Sequence, residues 1–334
     1  MADHAAANGK ESYVTAALNC IDLSNPDIHQ SAALIKQACM DSGIFYVINH
    51  GISEELMAEV FAQTKKFFTL PWEEKMKLRT GRNRGYDTRS KKIDSQTNKE
   101  LNGEQFMMVR ELPYSDKEAE NPLTGPNVWP SADILPGWKE TMLKYQQAVL
   151  NVGTAVARII AVALDLKVDF FDQPAFLGNA LPYVSLNHYG AEDVDPSKEY
   201  LLGTPAHCDP PIITLLATDD VPGLQICKDK HAKAQIWQNV SPLKGAFIVN
   251  TGNTLERMSN CVFRSTMHRV LYRQDRYTIA FLLYPSNDAV IECIPSCKSA
   301  ENPPKFPPIK SDELLRVIAN DIVAGRVTRD ATDA

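Results

Sequence analysis

The sequence contains no run of about 18 apolar residues, the length a helix needs to cross a bilayer, so no membrane partner is expected. Its first residues, Met1 to Tyr13, lack both the apolar core of a secretory signal and the Arg-rich amphipathic pattern of a transit peptide. Positive charge is in deficit, with 35 Lys and Arg against 41 Asp and Glu and a formal net charge of -6. Proteins that neutralise phosphates carry clustered cations, so nucleic acid is not an expected partner. The densest basic run, from Arg79 to Lys92, reads as a solvated loop, with an anionic-ligand loop as the competing reading. No CxxC pair exists. The seven cysteines (Cys20, Cys39, Cys208, Cys227, Cys261, Cys293, Cys297) are scattered and odd in number, as expected of reduced thiols in a cytoplasmic protein.

What is present is an ordinary globular composition: 334 residues, 44% hydrophobic and 23% charged, enough to bury a core around a protected site. Residues 1–17 read as a flexible N-terminus, 18–125 as an N-terminal helix and strand region, 126–300 as the core with a long supporting helix, and 301–334 as a C-terminal helix and tail. Apolar residues on one face between Ile28 and Cys39 indicate a helix, which Gly43 ends. The β-branched and aromatic run Ile44 to Ile48 reads as a buried strand. Ser53 is placed to cap the next helix, whose inner side carries Leu56, Val60, Phe61, Phe67 and Phe68. The segment from about Thr80 to Trp129 is polar and shows little periodicity. After Pro136, Trp138, Met142, Tyr145, Val149, Val152, Val156, Ile159 and Ala163 recur in steps of three and four, the pattern of a long amphipathic helix. Beyond Leu181 short strand-like runs alternate with Pro, Gly and Asp clusters, which favours an antiparallel sandwich or barrel over a βαβ sheet. Pro303, Pro304, Pro307 and Pro308 mark a stiff connector to a last helix near Asp312 to Val323.

The chemistry gathers at His207-Cys208-Asp209. Residues two apart in an extended chain project to the same side, so an imidazole and a carboxylate face one ion. His268, in Ser265-Thr266-Met267-His268, supplies a third ligand. Two histidines and one carboxylate leave open positions on an octahedral ion, as non-haem iron oxygenation requires; a catalytic zinc site with three protein ligands and a water is the other reading. Arg276 and Thr278, again two apart, would present a cation and a hydroxyl inside a barrel, and an inward Arg needs an anion. A dicarboxylate chelating the metal at one end and meeting Arg276 at the other satisfies both.

These residues resemble the metal and co-substrate motifs of the plant-type 2-oxoglutarate and Fe(II)-dependent dioxygenases, within the isopenicillin N synthase-like superfamily. Ile44 to Ile52, Phe67 to Lys75 and Arg84-Gly85-Tyr86 look like the family's N-terminal signatures, and Asn187-His188-Tyr189 matches its Asn-x-Tyr. The resemblance runs from Leu18 to Cys293. It implies a mixed α and β protein with a double-stranded β-helix, or jelly-roll, core and surrounding helices. It implies Fe(II) held by His207, Asp209 and His268, and 2-oxoglutarate and O2 as co-substrates, with ascorbate as an accessory reductant. Arg276, Thr278 and Tyr189 would hold the distal carboxylate, and Asn187 would orient the site. The implied reaction is hydroxylation, demethylation or desaturation of a small metabolite of plant specialised metabolism, such as an alkaloid, phenolic or hormone, with release of succinate and CO2 by a monomeric enzyme. By the same analogy Phe106, Met108 and Phe281 would line the substrate cavity.

Some positions depart from the family pattern. Thr278 stands where Ser is usual. Pro210-Pro211 follow Asp209 where an aromatic or small residue and Gly are more common, and Asn253 and Cys261 replace Asp and Gly. A 2-oxoglutarate-independent Fe(II) oxidase and a non-enzymatic ligand-binding protein on the same fold are the alternatives. His50, His188 and His231 read as structural rather than ligating.

Overall fold

The computed structural model describes residues 15–82, 84–88, 92–93, 100–101, 103–111, 123–190, 200–232 and 234–323. Most of the expected N-terminal arm, part of the basic run 79–92 and the tail beyond 323 lie outside the described residues.

The core is two facing sheets. The larger one runs, edge to edge, through β1 (Cys20–Asp22), β2 (Ile44–Ile48), β15 (Phe247–Thr251), β12 (Ile213–Thr218), β17 (Arg276–Tyr284), β10 (Leu181–Tyr189), β7 (Glu104–Met108), β4 (Arg84–Thr88) and β3 (Arg79–Arg82). The smaller one runs through β14 (Trp237–Asn239), β13 (Leu224–Cys227), β16 (Met267–Tyr272), β11 (Leu201–His207), β6 (Glu100–Leu101) and β5 (Lys92–Ile93). Two short pairs stand apart, β8 (Arg110–Glu111) with β9 (Thr124–Gly125) and β18 (Val290–Ile291) with β19 (Ile309–Lys310). Pairing within the central strands is antiparallel, the jelly roll expected from the motifs.

α1 (Ile28–Asp41), α2 (Glu54–Phe68), α3 (Trp72–Met76) and α4 (Trp138–Ala163) precede β10, and α1, α2 and α4 cover the outside of the large sheet; α5 (Asn253–Met258) lies between β15 and β16, and α6 (Ser311–Val323) follows β19. The Asp27 side chain accepts from His29 and Gln30 at the start of α1, and Ser53 Oγ accepts from Leu56 N at 3.2 Å, satisfying N–H groups that a helix start leaves unpaired. By length and composition α4 matches a membrane span over one 18-residue window. Its apolar stripe is used otherwise: Met142, Tyr145, Val149, Val152 and Val156 join one core cluster with Val184, Leu215, Ile279 and Phe281 of the sheet. Each such fully buried side chain contributes about 1.5–3 kcal/mol relative to exposure.

Strand parity decides what faces the interior. β10 and β17 share nine register pairs, from Leu181↔Tyr284 to Tyr189↔Arg276. Arg276, Thr278, Ala280 and Leu282 line the cavity between the sheets, whereas Ile279, Phe281 and Leu283 pack under the helices. The segment expected to be irregular, 80–129, carries the hairpins of β3, β4 and β7: Gly85, at φ +76 within β4, takes a left-handed backbone conformation open to glycine, and a Cβ there would meet the Leu78 carbonyl. His207 closes β11 and Asp209 lies between it and β12, while His268 lies within β16.

Candidate active site

Two of the three metal-binding candidates are placed by pairing alone. His207 and His268 are register partners on β11 and β16, with ring centroids 4.3 Å apart. Asp209 sits past the end of β11 and turns toward the large sheet. Its Oδ1 lies 3.3 Å from His207 Nε2 and 3.7 Å from His268 Nε2, and one donor atom from each residue falls within 4.8 Å of the others.

Both tautomers are set by the backbone. His207 Nδ1 lies 2.8 Å from the Pro205 carbonyl and His268 Nδ1 3.0 Å from the Thr266 carbonyl. A carbonyl only accepts, so each Nδ1 carries the proton and each Nε2 lone pair points at Asp209 Oδ1. Burial lowers the His268 pKa, against the opposing pull of Asp209, which favours the neutral, ligating imidazole. Burial alone would raise the Asp209 carboxyl; His268, His207 and the Thr214 hydroxyl outweigh it and hold the group well below the usual carboxylate range. Two lone pairs and a carboxylate converging in a buried space call for a cation, and donors about 2.1 Å from one ion in neighbouring positions stand about 3 Å apart. The set therefore fits a divalent metal.

The other end of the cavity fits an anion. Arg276 is 1% exposed. Its Nε donates to the Val221 carbonyl at 3.1 Å, and the guanidinium lies 5.3 Å from the centre of the Tyr189 ring. Nη1 is buried without a hydrogen-bond partner among the described residues. Thr278 and Tyr189 line the same cavity, and Tyr189 Oη lies 3.2 Å from Thr204 Oγ1. Gly203 gives Tyr189 its space, because a Cβ there would meet the ring at 2.5 Å. Between the two ends lies a cavity of about 190 Å3, walled by Leu216, Leu224, Val270, Ala280 and Leu282. Asn187, expected to orient the site, lines the cavity and exchanges hydrogen bonds with Ser185 at 3.1 Å.

Three expectations fail. Phe106, Met108 and Phe281 do not line the cavity; all three belong to the helix-covered core, and a Cβ on Gly153 of α4 would touch the Phe281 ring at 3.0 Å. The reason is parity: Phe281 is an odd number of residues from Arg276 and Thr278, and Gln105, not Phe106, faces inward on β7. The cavity residues in their place are Gln105, Tyr183, Ser185 and Leu282. Sequence reasoning also missed Thr214 and Asn250, which both donate to Asp209 Oδ2, at 2.6 and 2.9 Å. Asn250 ends the apolar run Phe247-Ile248-Val249, and a polar residue there was the available signal. His50 accepts from Ile52 N, and His188 lies outside the cavity between Glu104 and Asp275.

Comparison with known proteins agrees with this geometry. A family profile described as the non-haem dioxygenase in morphine synthesis N-terminal region matches residues 18–132, and one described as the 2OG-Fe(II) oxygenase superfamily matches 182–285. The chain is 53% identical to kihadalactone A synthase LFS of Citrus sinensis over 97% of its own length and 98% of that protein. It is 49% identical to azadirone synthase LFS of Melia azedarach over 99% and 100%. Among solved structures, that of a full-length Neurospora crassa protein in complex with alpha-KG and thymine superposes with a TM-score of 0.77 at 26% identity, covering 93% of this chain and 99% of that one. The chain therefore belongs to the 2OG-Fe(II) oxygenase superfamily, as an oxidoreductase that uses Fe(II) and 2-oxoglutarate on a small-molecule substrate.

Proposed function

We propose that His207, Asp209 and His268 hold the iron, that Arg276, Thr278 and Tyr189 hold the distal carboxylate of 2-oxoglutarate, and that the substrate is a plant specialised metabolite. The observation that carries the reading is the buried, unpartnered Nη1 of Arg276 in the same cavity as the histidine and aspartate donors. A guanidinium is not left in an apolar site without an anion, and a dicarboxylate long enough to reach the metal is such an anion.

When bound, iron and 2-oxoglutarate supply the oxidising power: one atom of O2 enters succinate, CO2 leaves, and the second atom is available to oxidise a C–H bond. The protein's own part is binding, orientation and exclusion of water. His207 and His268 present Nε2 lone pairs, and Asp209 supplies the one negative charge of the donor set. Arg276 neutralises the far carboxylate while Thr278 and Tyr189 offer hydroxyls to it. Leu216, Leu224 and Val270 keep the space dry. Hydroxylation, demethylation and desaturation share this machinery and differ in how the substrate is posed. The names of the two curated relatives point to products of the kihadalactone A and azadirone kind. The sequence supports a cytoplasmic monomer without nucleic-acid or membrane partners.

Anaerobic titration of the Fe(II)-loaded protein with 2-oxoglutarate tests the assignment. A visible charge-transfer band in wild type that weakens strongly in Arg276→Ala is the expected result. Bound iron with no band would sink the co-substrate assignment.

A further inference from the structure

We infer that Thr214 and Asn250 are positioning residues of the metal centre: they occupy the second oxygen of Asp209, so that Oδ1 alone is offered to the ion. This deepens the reading of His207, Asp209 and His268 as the metal ligands, and rests on it.

The two donors come from neighbouring central strands. Thr214 of β12 and Asn250 of β15 are register partners, so their side chains stand side by side on the inner face of the large sheet. Thr214 Oγ1 donates to Asp209 Oδ2 at 2.6 Å and Asn250 Nδ2 donates to the same oxygen at 2.9 Å. Exposure is 4% for Thr214, 6% for Asn250 and 7% for Asp209, so water does not compete for these bonds. Oδ1 meanwhile faces His207 Nε2 and His268 Nε2 at 3.3 and 3.7 Å. The carboxylate is divided between two tasks, one oxygen for the sheet and one for the donor set.

The same segment also fixes the Asp209 backbone. Asn253 N donates to the Asp209 carbonyl at 2.8 Å, and Thr254 Oγ1 donates to the Pro210 carbonyl at 2.7 Å. Residues 250–254 therefore hold the aspartate at its side chain and at its main chain, which leaves the carboxylate little freedom to rotate. Chemically the division matters because a carboxylate with both oxygens free can chelate a metal through both and fill one more position. With Oδ2 saturated by two donors, three protein atoms bind and the remaining positions stay open for the oxo acid and dioxygen. Hydrogen bonds that orient ligands in this way are worth about 10–100-fold in metal affinity.

Co(II), whose visible d–d bands report the ligand arrangement, is the probe. Apoprotein is titrated anaerobically as wild type, Thr214→Val, Thr214→Ser and Asn250→Leu, with melting curves alongside. The Val and Leu variants keep approximate shape and remove the side-chain donor. The expected result is a Kd raised about 10–100-fold and an altered band pattern in both, with the Ser variant restoring affinity and bands. A purely structural role would lower the melting temperature and leave the bands unchanged. Wild-type Kd and bands in Thr214→Val and Asn250→Leu would overturn the inference while leaving the metal site intact. Failure of wild type to bind Co(II) would overturn the metal-site reading itself. Should Thr214→Val not fold, Asn250→Leu carries the same test.

Discussion

Replacing Arg276 with Met should move co-substrate affinity and apoprotein stability in opposite directions. The guanidinium is 1% exposed, with Nε on the Val221 carbonyl and Nη1 unpartnered, and among the described residues no carboxylate lies within 4.0 Å of it. Burial pushes its pKa down, with Tyr189 and Asp219 partly opposing. Two charge-assisted bonds to a bound carboxylate contribute about 1.5–3 kcal/mol each. At 1.4 kcal/mol per decade, their loss raises the 2-oxoglutarate Kd about 10²–10⁴-fold. In the apoprotein the sign reverses. Apolar replacement of a buried charged group of similar volume stabilises by about 1–4 kcal/mol. The lost Val221 bond and Tyr189 contact return about 1–2 kcal/mol, leaving a net gain centred on about 1 kcal/mol within a span of about −1 to +3 kcal/mol. Unfolding entropy near 2.1 cal/mol/K per residue makes each kcal/mol worth about 1.4 °C at this length. Apo Arg276→Met should therefore melt about 1.4 °C above wild type, within a span of about −1.4 to +4 °C. With 2-oxoglutarate at 100 times the wild-type Kd, wild type gains about 2.7 kcal/mol, near 4 °C, and the variant at most about 0.4 kcal/mol, under about 1 °C. Scanning fluorimetry with Mn(II), with and without 2-oxoglutarate, reads both effects. An apo variant melting more than about 3 °C below wild type would refute the reasoning, because the guanidinium would already be satisfied by the protein.

His188 lies 2.9 Å from Glu104 and 2.7 Å from Asp275; burial lowers its pKa, but the two carboxylates reverse this and raise it. A raised pKa gives stability that is fully present below the unfolded value near 6.5 and is lost as pH rises through the folded value, so His188→Gln should cost about 1–3 kcal/mol at pH 6 and less at pH 9, by urea unfolding. A cost independent of pH would refute the ionic account. Lys230 and Glu256 form a salt bridge at 2.8 Å with side chains 8% and 6% exposed; Lys230→Met should destabilise by about 3–5 kcal/mol and the Lys230→Met, Glu256→Gln double variant by clearly less, which a double-mutant cycle measures. Phe281→Ala should lower stability by about 3–5 kcal/mol while leaving the 2-oxoglutarate KM unchanged; a raised KM with unchanged stability would return Phe281 to the cavity.

Much of this fold was legible because local chemistry and global fold agree. The Ile44–Ile48 strand and the α4 helix have the expected bounds, since β-branching and a three-and-four repeat fix each without help from distant residues. β11 and β16 were not legible: Gly203, Pro205 and the mixed residues of Met267–Tyr272 give no clean alternation, and both strands form by pairing with each other. The grouping of His207, Asp209 and His268 was expected from motif spacing, and the structure brings the three together through a contact, His207 beside His268, that joins residues far apart in sequence. Parity on β17 was available from sequence as well. Arg276 inward places Phe281 outward, and the aromatic character of Phe281 obscured that arithmetic. Thr214 and Asn250 were hidden for a different reason: a threonine and an asparagine at strand positions carry no sign of their target until the sheets close around Asp209.

The two prolines after Asp209 are the departure that most called for an account, and the structure supplies one. Proline removes a backbone donor and fixes φ, so a site that needs an N–H at residue 210 or 211 rejects it. Here the turn is held through its carbonyls. Asp209 O accepts from Asn253 N, Pro210 O from Thr254 N at 3.2 Å and Thr254 Oγ1, and Gly252 packs so closely on the Pro211 carbonyl that a Cβ would collide with it. No donor is lost, and the two rings restrict the unfolded chain where the ligand turn must form. Pro210→Ala with Pro211→Ala should therefore lower stability by about 1–2 kcal/mol, from about 0.4–1 kcal/mol for each residue freed. That is a fall of about 1.4–3 °C in melting temperature, with the Co(II) bands unchanged. A rise in stability or turnover would show that the prolines strain the ligand turn, and would count the departure as damage rather than reinforcement.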